Sequence, residues 1–191
     1  VVASATATGT EAQLFDLVSR AAADVRRQLG LTEASPAQVV AGRTSLPSTP
    51  QAARHYTEGL ARLRVLDTTA ARDALEKAVA AEPGHPLPHA ALAEAWTALG
   101  YRGRARVEAG RALELARDLP REERLAIEAR SHEASGQWDR AVEIHRSLFE
   151  AFPDSLEHGL RLASAETQGG RPRDALVTVE RLRSLPSASS T

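Results

Sequence analysis

Small and apolar residues recur along the chain with a period of about thirty-five residues. The repeated position is held four times by alanine, with spacings of 34, 36 and 34 residues, at Ala71, Ala105, Ala141 and Ala175. Positions four and seven residues further on are mostly small or apolar too, which places them on one face of a helix. A glycine suited to a tight turn lies before three of these alanines, at Gly100, Gly136 and Gly170. The pattern predicts stacked helical repeats.

The prolines agree with this division of the chain. All ten lie at or outside predicted helix ends, as expected because a proline inside a helix costs about 3 kcal/mol or more. Pro50, Pro86, Pro120 and Pro172 mark helix starts. Eight helices in four pairs are predicted, over residues 50–65, 68–81, 86–99, 102–117, 120–135, 138–152, 155–168 and 172–184.

The N-terminal part of the chain differs from the repeats. Residues 1–9 are small and polar and predict a disordered lead-in. Residues 10–31 predict an amphipathic connecting helix, and residues 32–48 predict a linker with one short helical turn. The apolar stripe of the connecting helix is Leu14, Val18, Ala21, Val25 and Leu29. This stripe predicts that the helix docks on another surface.

A small residue, an apolar residue, a second small residue and a proline at this spacing resemble the tetratricopeptide repeat. The first helix of each pair also keeps a small residue, at Gly59, Ala93, Ala129 and Ala163. The resemblance implies an all-α, right-handed solenoid of helical hairpins over residues 49–187. Its four repeats would cover 49–84, 85–119, 120–153 and 154–187, followed by a tail at 188–191. The aromatic positions of the family are only partly filled, best by His89 and Trp96 in the second repeat.

The resemblance also implies a binding surface, because this family uses its concave face to hold protein or peptide partners. The corresponding positions here are Tyr56, Leu60, Leu63, Leu87, Ala90, Glu94, Thr97, Arg130, Glu133, Glu157, Leu160 and Thr167. Family members that grip chaperone C-termini use a clamp of lysine, asparagine and arginine, and only Arg130 matches, so this specificity is not expected. An alternative is that Tyr56, Leu60 and Leu63 are covered within the chain by the connecting helix.

Composition excludes several classes of function. The chain has 191 residues and a net charge of −1, with arginines interspersed among acids, so nucleic-acid binding is not expected. Cysteine is absent, which excludes disulfides and thiolate sites. No apolar run is long enough to span a bilayer, and no membrane contact is expected from this segment. The absence of methionine, at residue 1 included, favours a segment cut from a longer protein.

Two constellations have the spacing of chemical sites. His85 and His89 have metal-ligand spacing but stand at a helix start without an evident third ligand. Glu128 and His132 have the spacing of an acid–base dyad but fit an ordinary surface pair four residues apart. No catalytic residue, cofactor or metal is therefore predicted, and the segment is not expected to be an enzyme.

A second resemblance lies in the amino-acid sequence of the repeats, such as "GLARLRVLDTTAARDALEKAVAAEPGHPLPHAALAEAWTALGY" and "LPREERLAIEARSHEASGQWDRAVEIHRSLFEAFPDSLEHGLRLA". It is similar to the C-terminal sensor region of bacterial serine/threonine protein kinases and of related winged-helix transcriptional regulators, over residues 51–186. The resemblance implies a regulatory module of a signalling protein that binds a protein or peptide. For the kinases the module would be extracytoplasmic (periplasmic), with a cytoplasmic location as the alternative. Self-association as a homo-oligomer and a hydrolase hidden in another helical fold are the competing functions.

Overall fold

The structure, a computed structural model, describes residues 6, 14–28, 30 and 46–185, and within them every regular element is helical. The α-helices are α1 (Leu14–Gln28), α2 (Pro50–Arg64), α3 (Thr68–Ala81), α4 (Pro86–Ala98), α5 (Arg102–Leu115), α6 (Arg121–Ala134), α7 (Trp138–Ala151), α8 (Leu156–Gln168) and α9 (Pro172–Arg183). A 3-10 turn at Ala116–Asp118 follows α5. The predicted ends of the eight repeat helices agree with these bounds to within two residues.

Each pair of helices is joined by the same turn. The backbone N–H after the turn donates to the carbonyl five residues earlier, as in Tyr101 to Trp96 at 2.8 Å and Gln137 to His132 at 2.8 Å. This bond requires a left-handed residue just before the donor. Glycine provides it at Gly100, Gly136 and Gly170, with φ of 83°, 73° and 75°. The first pair has no glycine there, and Leu66 adopts φ 59° instead.

Side chains cap the starts of four of the eight repeat helices, α2, α3, α4 and α8. Thr49 and Ser155 accept hydrogen bonds from backbone N–H groups of the first turns of α2 and α8. Proline occupies the first turn of α2, α4 and α9, where its missing N–H has no intrahelical role. The predicted helix over residues 102–117 ends earlier as α5, because the chain tightens into the 3-10 turn.

Consecutive helices of the four pairs pack in chain order, and α4 also contacts α2 and α6, so the first helices of the pairs form one layer. Three clusters of buried side chains follow this stack. They centre on Leu75 and Trp96, on Ala112 and Ile127, and on Val142 and Phe149. Alanine is frequent in the first two clusters, and this allows the backbones to approach closely.

The repeated small residue is a close helix contact. A Cβ added to Gly59 would lie 2.5 Å from Cγ of Leu75. The equivalent alanines Ala93 and Ala129 are buried, at 4% and 0% exposed. The expectation that these positions let paired helices approach is therefore confirmed.

The connecting helix is present as α1, in which Leu17, Ala21 and Val25 are half-buried. Gly30 follows with φ 67°, as a helix-ending glycine does. The start (10–13) of the predicted connecting helix and its residues Leu29 and Leu31 lie outside the described residues. So do the lead-in at 1–5 and 7–9, most of the predicted linker (32–45) and the end of the chain (186–191). Docking of α1 remains a prediction.

Candidate functional site

A pocket of about 240 Å³ lies along the layer formed by the first helices of the pairs. Helices α4, α6 and α8 line it, with Trp138 from α7 at one end. Its charged side chains are Glu94, Arg130, Glu133 and Arg161. We call the surface formed by these four residues together with Tyr56, Glu157 and Leu160 the concave groove.

An ion-pair network joins three repeats across the concave groove. Nη2 of Arg161 lies 3.2 and 3.0 Å from the two carboxylate oxygens of Glu94, which is 67 residues earlier in the chain. Nη1 of Arg130 lies 3.8 Å from Oε2 of the same carboxylate. One carboxylate is therefore shared by two guanidinium groups, and the network links α4 to α8 over the intervening α6.

The electrostatic environment of these groups reflects their mutual pairing. Burial acts to raise the pKa of Glu94, but the charges of Arg130 and Arg161 and the Arg161 hydrogen bond outweigh it, so the pKa lies below its ordinary value. Burial acts to lower the pKa of Arg161, but the neighbouring carboxylates, first of all Glu94, raise it above its ordinary value. Both partners therefore remain ionised over the whole neutral range.

Tyr56 belongs to both the core and the groove. Its ring is packed in the first core cluster and the residue is 9% exposed. Burial raises the pKa of its hydroxyl. The positive charge of Arg130 acts to lower this pKa, and the negative charges of Glu157 and Glu94 act to raise it. Those three charges come from α6, α8 and α4, so the hydroxyl of this first-repeat residue lies within electrostatic range of three other helices.

The predicted concave residues divide into two groups. Glu94, Arg130 and Glu133 meet in the pocket, Thr97 lines it, and Glu157, Leu160 and Thr167 are exposed along α8. Leu60, Leu63 and Leu87 are half-buried against the first core cluster. Ala90 also lines the pocket, although it is only 2% exposed because it packs in the second cluster with Ala112 and Ile127.

Arg161 is the groove residue that the sequence pattern does not indicate. It stands 34 residues after Ile127 and 70 after Ala91, which occupy the same position in their repeats and are 3% and 1% exposed. The third equivalent residue, Thr57, is exposed, so the register favours an interior residue at position 161 by two repeats to one. The one available signal is its charge, because an arginine at an interior register position must find a carboxylate or reach solvent.

The two histidines at the start of α4 make structural contacts. In His89, Nδ1 lies 2.6 Å from Glu108 and Nε2 lies 3.0 Å from the Pro83 carbonyl, so both ring nitrogens face acceptors. Burial acts to lower the pKa of His89, but the Glu108 hydrogen bond and the other contacts raise it above its ordinary value. His85, its proposed companion as a metal ligand, instead caps α4 by accepting from the Leu87 N–H.

Other candidate constellations are structural as well. Glu128 and His132 approach to 4.0 Å as a pair four residues apart on α6. Among the residues the structure describes, no three His, Asp or Glu side chains gather in an arrangement suited to a metal ion. The helices of that same part of the chain are each too short or too polar to cross a lipid bilayer.

Comparison with known proteins identifies the architecture. No protein-family model matches the chain, and no curated protein matches it significantly. A solved tetratricopeptide repeat protein from Parabacteroides merdae superimposes with a TM-score of 0.53 and 13% identity, over 93% of this chain and 67% of that one. The fold is a tetratricopeptide-like solenoid.

Two further solved structures are similar at lower scores. The TPR-like repeats of a putative kinesin light chain from Podosopora anserina have a TM-score of 0.47 and 21% identity, over 92% of each chain. A MamA fragment from Desulfovibrio magneticus RS-1 has a TM-score of 0.46 and 12% identity, over 97% of this chain and 100% of that one. At these identities the likeness concerns the fold alone.

Proposed function

We propose that the chain is a non-catalytic module that binds a peptide or an extended protein segment in the concave groove. The observation that supports this most directly is the groove itself, where charged side chains from three repeats converge around a pocket of about 240 Å³. Such a surface combines fixed charges with accessible apolar area at Leu160, which is 53% exposed. Peptide recognition uses this combination, since charge selects the ligand and apolar contact supplies affinity.

A display selection with a random peptide library tests this function. Peptides selected on the wild-type chain should bind Val107→Trp equally well, because Val107 is 69% exposed on α5 and lines a separate pocket. They should not bind Ser164→Trp, because Ser164 is exposed and lines the pocket, where an indole would fill the space. Loss of binding in both tryptophan variants, or in neither, contradicts recognition through the groove.

The larger role of the module is a further part of the proposal. The resemblance of residues 51–186 to sensor regions supports a regulatory module of a bacterial signalling protein, either a serine/threonine kinase with an extracytoplasmic sensor or a winged-helix regulator. In that role the bound peptide would control a fused effector. Sequencing the coding region on both sides of this segment tests the assignment, and neighbouring domains of another class would contradict it.

Self-association is the second candidate function. It is supported by Leu176 and Val177 on the last helix, which are 65% and 66% exposed. Light scattering across a concentration series should then show a mass that rises with concentration in the wild type and not in Leu176→Glu. A constant monomer mass for both chains contradicts self-association.

A further inference from the structure

The internal ion pairs leave negative charge in the concave groove. Its three carboxylates, Glu94, Glu133 and Glu157, face two guanidinium groups. Glu94 forms ion pairs with both Arg130 and Arg161, and Glu133 accepts a hydrogen bond of 2.8 Å from Nε2 of His145. Glu157 is exposed on the first turn of α8 and forms no ion pair with any residue that the structure describes.

Tyr56 provides an independent observation at the same place. Its ring is held in the core at 9% exposure, yet its hydroxyl makes no hydrogen bond with the described residues. The charges that act on this hydroxyl include Glu157, although α2 and α8 belong to the first and last repeats. Among the described residues this hydroxyl is not one of the enclosed polar atoms without a partner, so a ligand can reach it and form a hydrogen bond with it. The groove therefore presents a hydroxyl and a carboxylate from opposite ends of the solenoid.

Apolar surface adjoins both polar groups. Leu160 lies one turn after Glu157 and is 53% exposed, and Leu60 lies one turn after Tyr56 and is half-buried. A ligand with a cationic head and an apolar stem can contact the polar atoms and the leucines together, as lysine and arginine side chains do on other apolar surfaces.

We propose that the concave groove selects peptides that carry an arginine or lysine next to an apolar residue. The cation donates hydrogen bonds to the Glu157 carboxylate and to the Tyr56 hydroxyl oxygen, and the apolar neighbour packs on Leu160. This deepens the proposed peptide-binding function and depends on it. An acidic peptide is disfavoured, because it would approach Glu157 and would have to displace Glu94 from both Arg130 and Arg161.

The peptides selected in the display experiment test the preference. Groove-dependent peptides should be enriched in arginine and lysine over the input library and depleted in acids. Synthetic copies labelled with a fluorophore should lose affinity by about tenfold on Glu157→Gln, which removes one charge-assisted hydrogen bond. Tyr56→Phe should weaken binding by about threefold to tenfold while leaving the core ring in place. Binding should also weaken as salt is raised.

Two matched controls separate the site from general effects. Glu180→Gln removes an exposed carboxylate on α9, and Tyr101→Phe removes a hydroxyl from a tyrosine that is 55% exposed. Both should bind as the wild type does. Groove-dependent peptides that are acidic, or basic peptides indifferent to both Glu157→Gln and Tyr56→Phe, overturn the basic-residue preference and leave peptide binding standing. Recovery of no groove-dependent peptide overturns the proposed function and this preference together.

Discussion

Adding one methyl group at Gly59 should destabilise the fold, although the same change elsewhere should stabilise it. The new Cβ would lie 2.5 Å from Cγ and 2.7 Å from Cδ2 of Leu75. Carbon atoms pack at about 3.5–4.0 Å, so either Leu75 or the two helices must move by about 1 Å. Leu75 is fully buried, at 0% exposed, among the other side chains of the first core cluster. Overpacking of this kind typically costs about 1–3 kcal/mol.

Gly110 provides the matched control. It lies inside α5, and a Cβ there would meet no atom within 4 Å. Replacing a helix-interior glycine by alanine stabilises by about 1 kcal/mol at either site, so this effect cancels between the two variants. The difference in unfolding free energy between Gly59→Ala and Gly110→Ala should therefore equal the packing cost, about 1–3 kcal/mol.

Urea denaturation at fixed pH measures this difference, provided the slope of the unfolding free energy is unchanged. A double-mutant cycle strengthens the test: Leu75→Ala should be less damaging in the Gly59→Ala chain than in the wild type, because the truncated side chain relieves the overlap. If Gly59→Ala raises the midpoint as much as Gly110→Ala does, the two helices do not make the tight contact described and the reasoning is wrong.

Three further predictions concern other parts of the chain. Leu66→Gly should stabilise the fold by about 1 kcal/mol, measured by thermal unfolding, because Leu66 adopts φ 59° and is 83% exposed. Its neighbour Val65 has φ −97° and serves as the control. A gain in stability in Val65→Gly as well would show that backbone strain is not the cause. The raised pKa of His89 means that its pair with Glu108 stabilises fully below the unfolded imidazole pKa of about 6.5 and loses this effect as pH rises through the folded value. The stability difference between wild type and His89→Gln should shrink accordingly from pH 6 to pH 9, and a difference that grows refutes the assignment. Deleting residues 1–31 should increase binding of a hydrophobic dye, while an unchanged signal with peptide-like hydrogen exchange in α1 would show that this helix has no docking site.

The helices were predictable because the signals that define them are local. Pro86 at the start of α4 and Gly100 at its end act on the backbone of their own turn, whatever packs beside them. The turn between α2 and α3 is the exception, because Leu66 adopts the left-handed conformation there and no glycine in the sequence predicts it. There the hydrogen bond from the Asp67 N–H to the Arg62 carbonyl, at 3.0 Å, holds the same turn.

The chemistry at equivalent positions was not predictable in the same way. Trp96 and Glu166 are 70 residues apart and occupy the same place in their repeats, and both are buried, at 4% and 2% exposed. The tryptophan lies beneath the guanidinium of Arg104, 4.6 Å from its ring centre. The carboxylate of Glu166 instead contacts Arg146 at 3.2 Å and accepts from the Thr178 hydroxyl at 2.8 Å. Periodicity indicates burial, but the partners come from neighbouring helices.

In the concave groove, this difference between predictable burial and unpredictable partners affects the functional surface. The repeat register places Glu94 and Arg130 in successive repeats, and it is therefore enough to predict that they are neighbours. The bond from Arg161 to Glu94 spans 67 residues and two repeats, and its formation depends on the curvature of the whole stack. Curvature is the sum of small rotations between successive repeats, so a local sequence signal cannot determine it. Tyr56 and Glu157 come from distant repeats in the same way. The sequence alone therefore does not predict that they lie near each other, whereas the three-dimensional structure does show this.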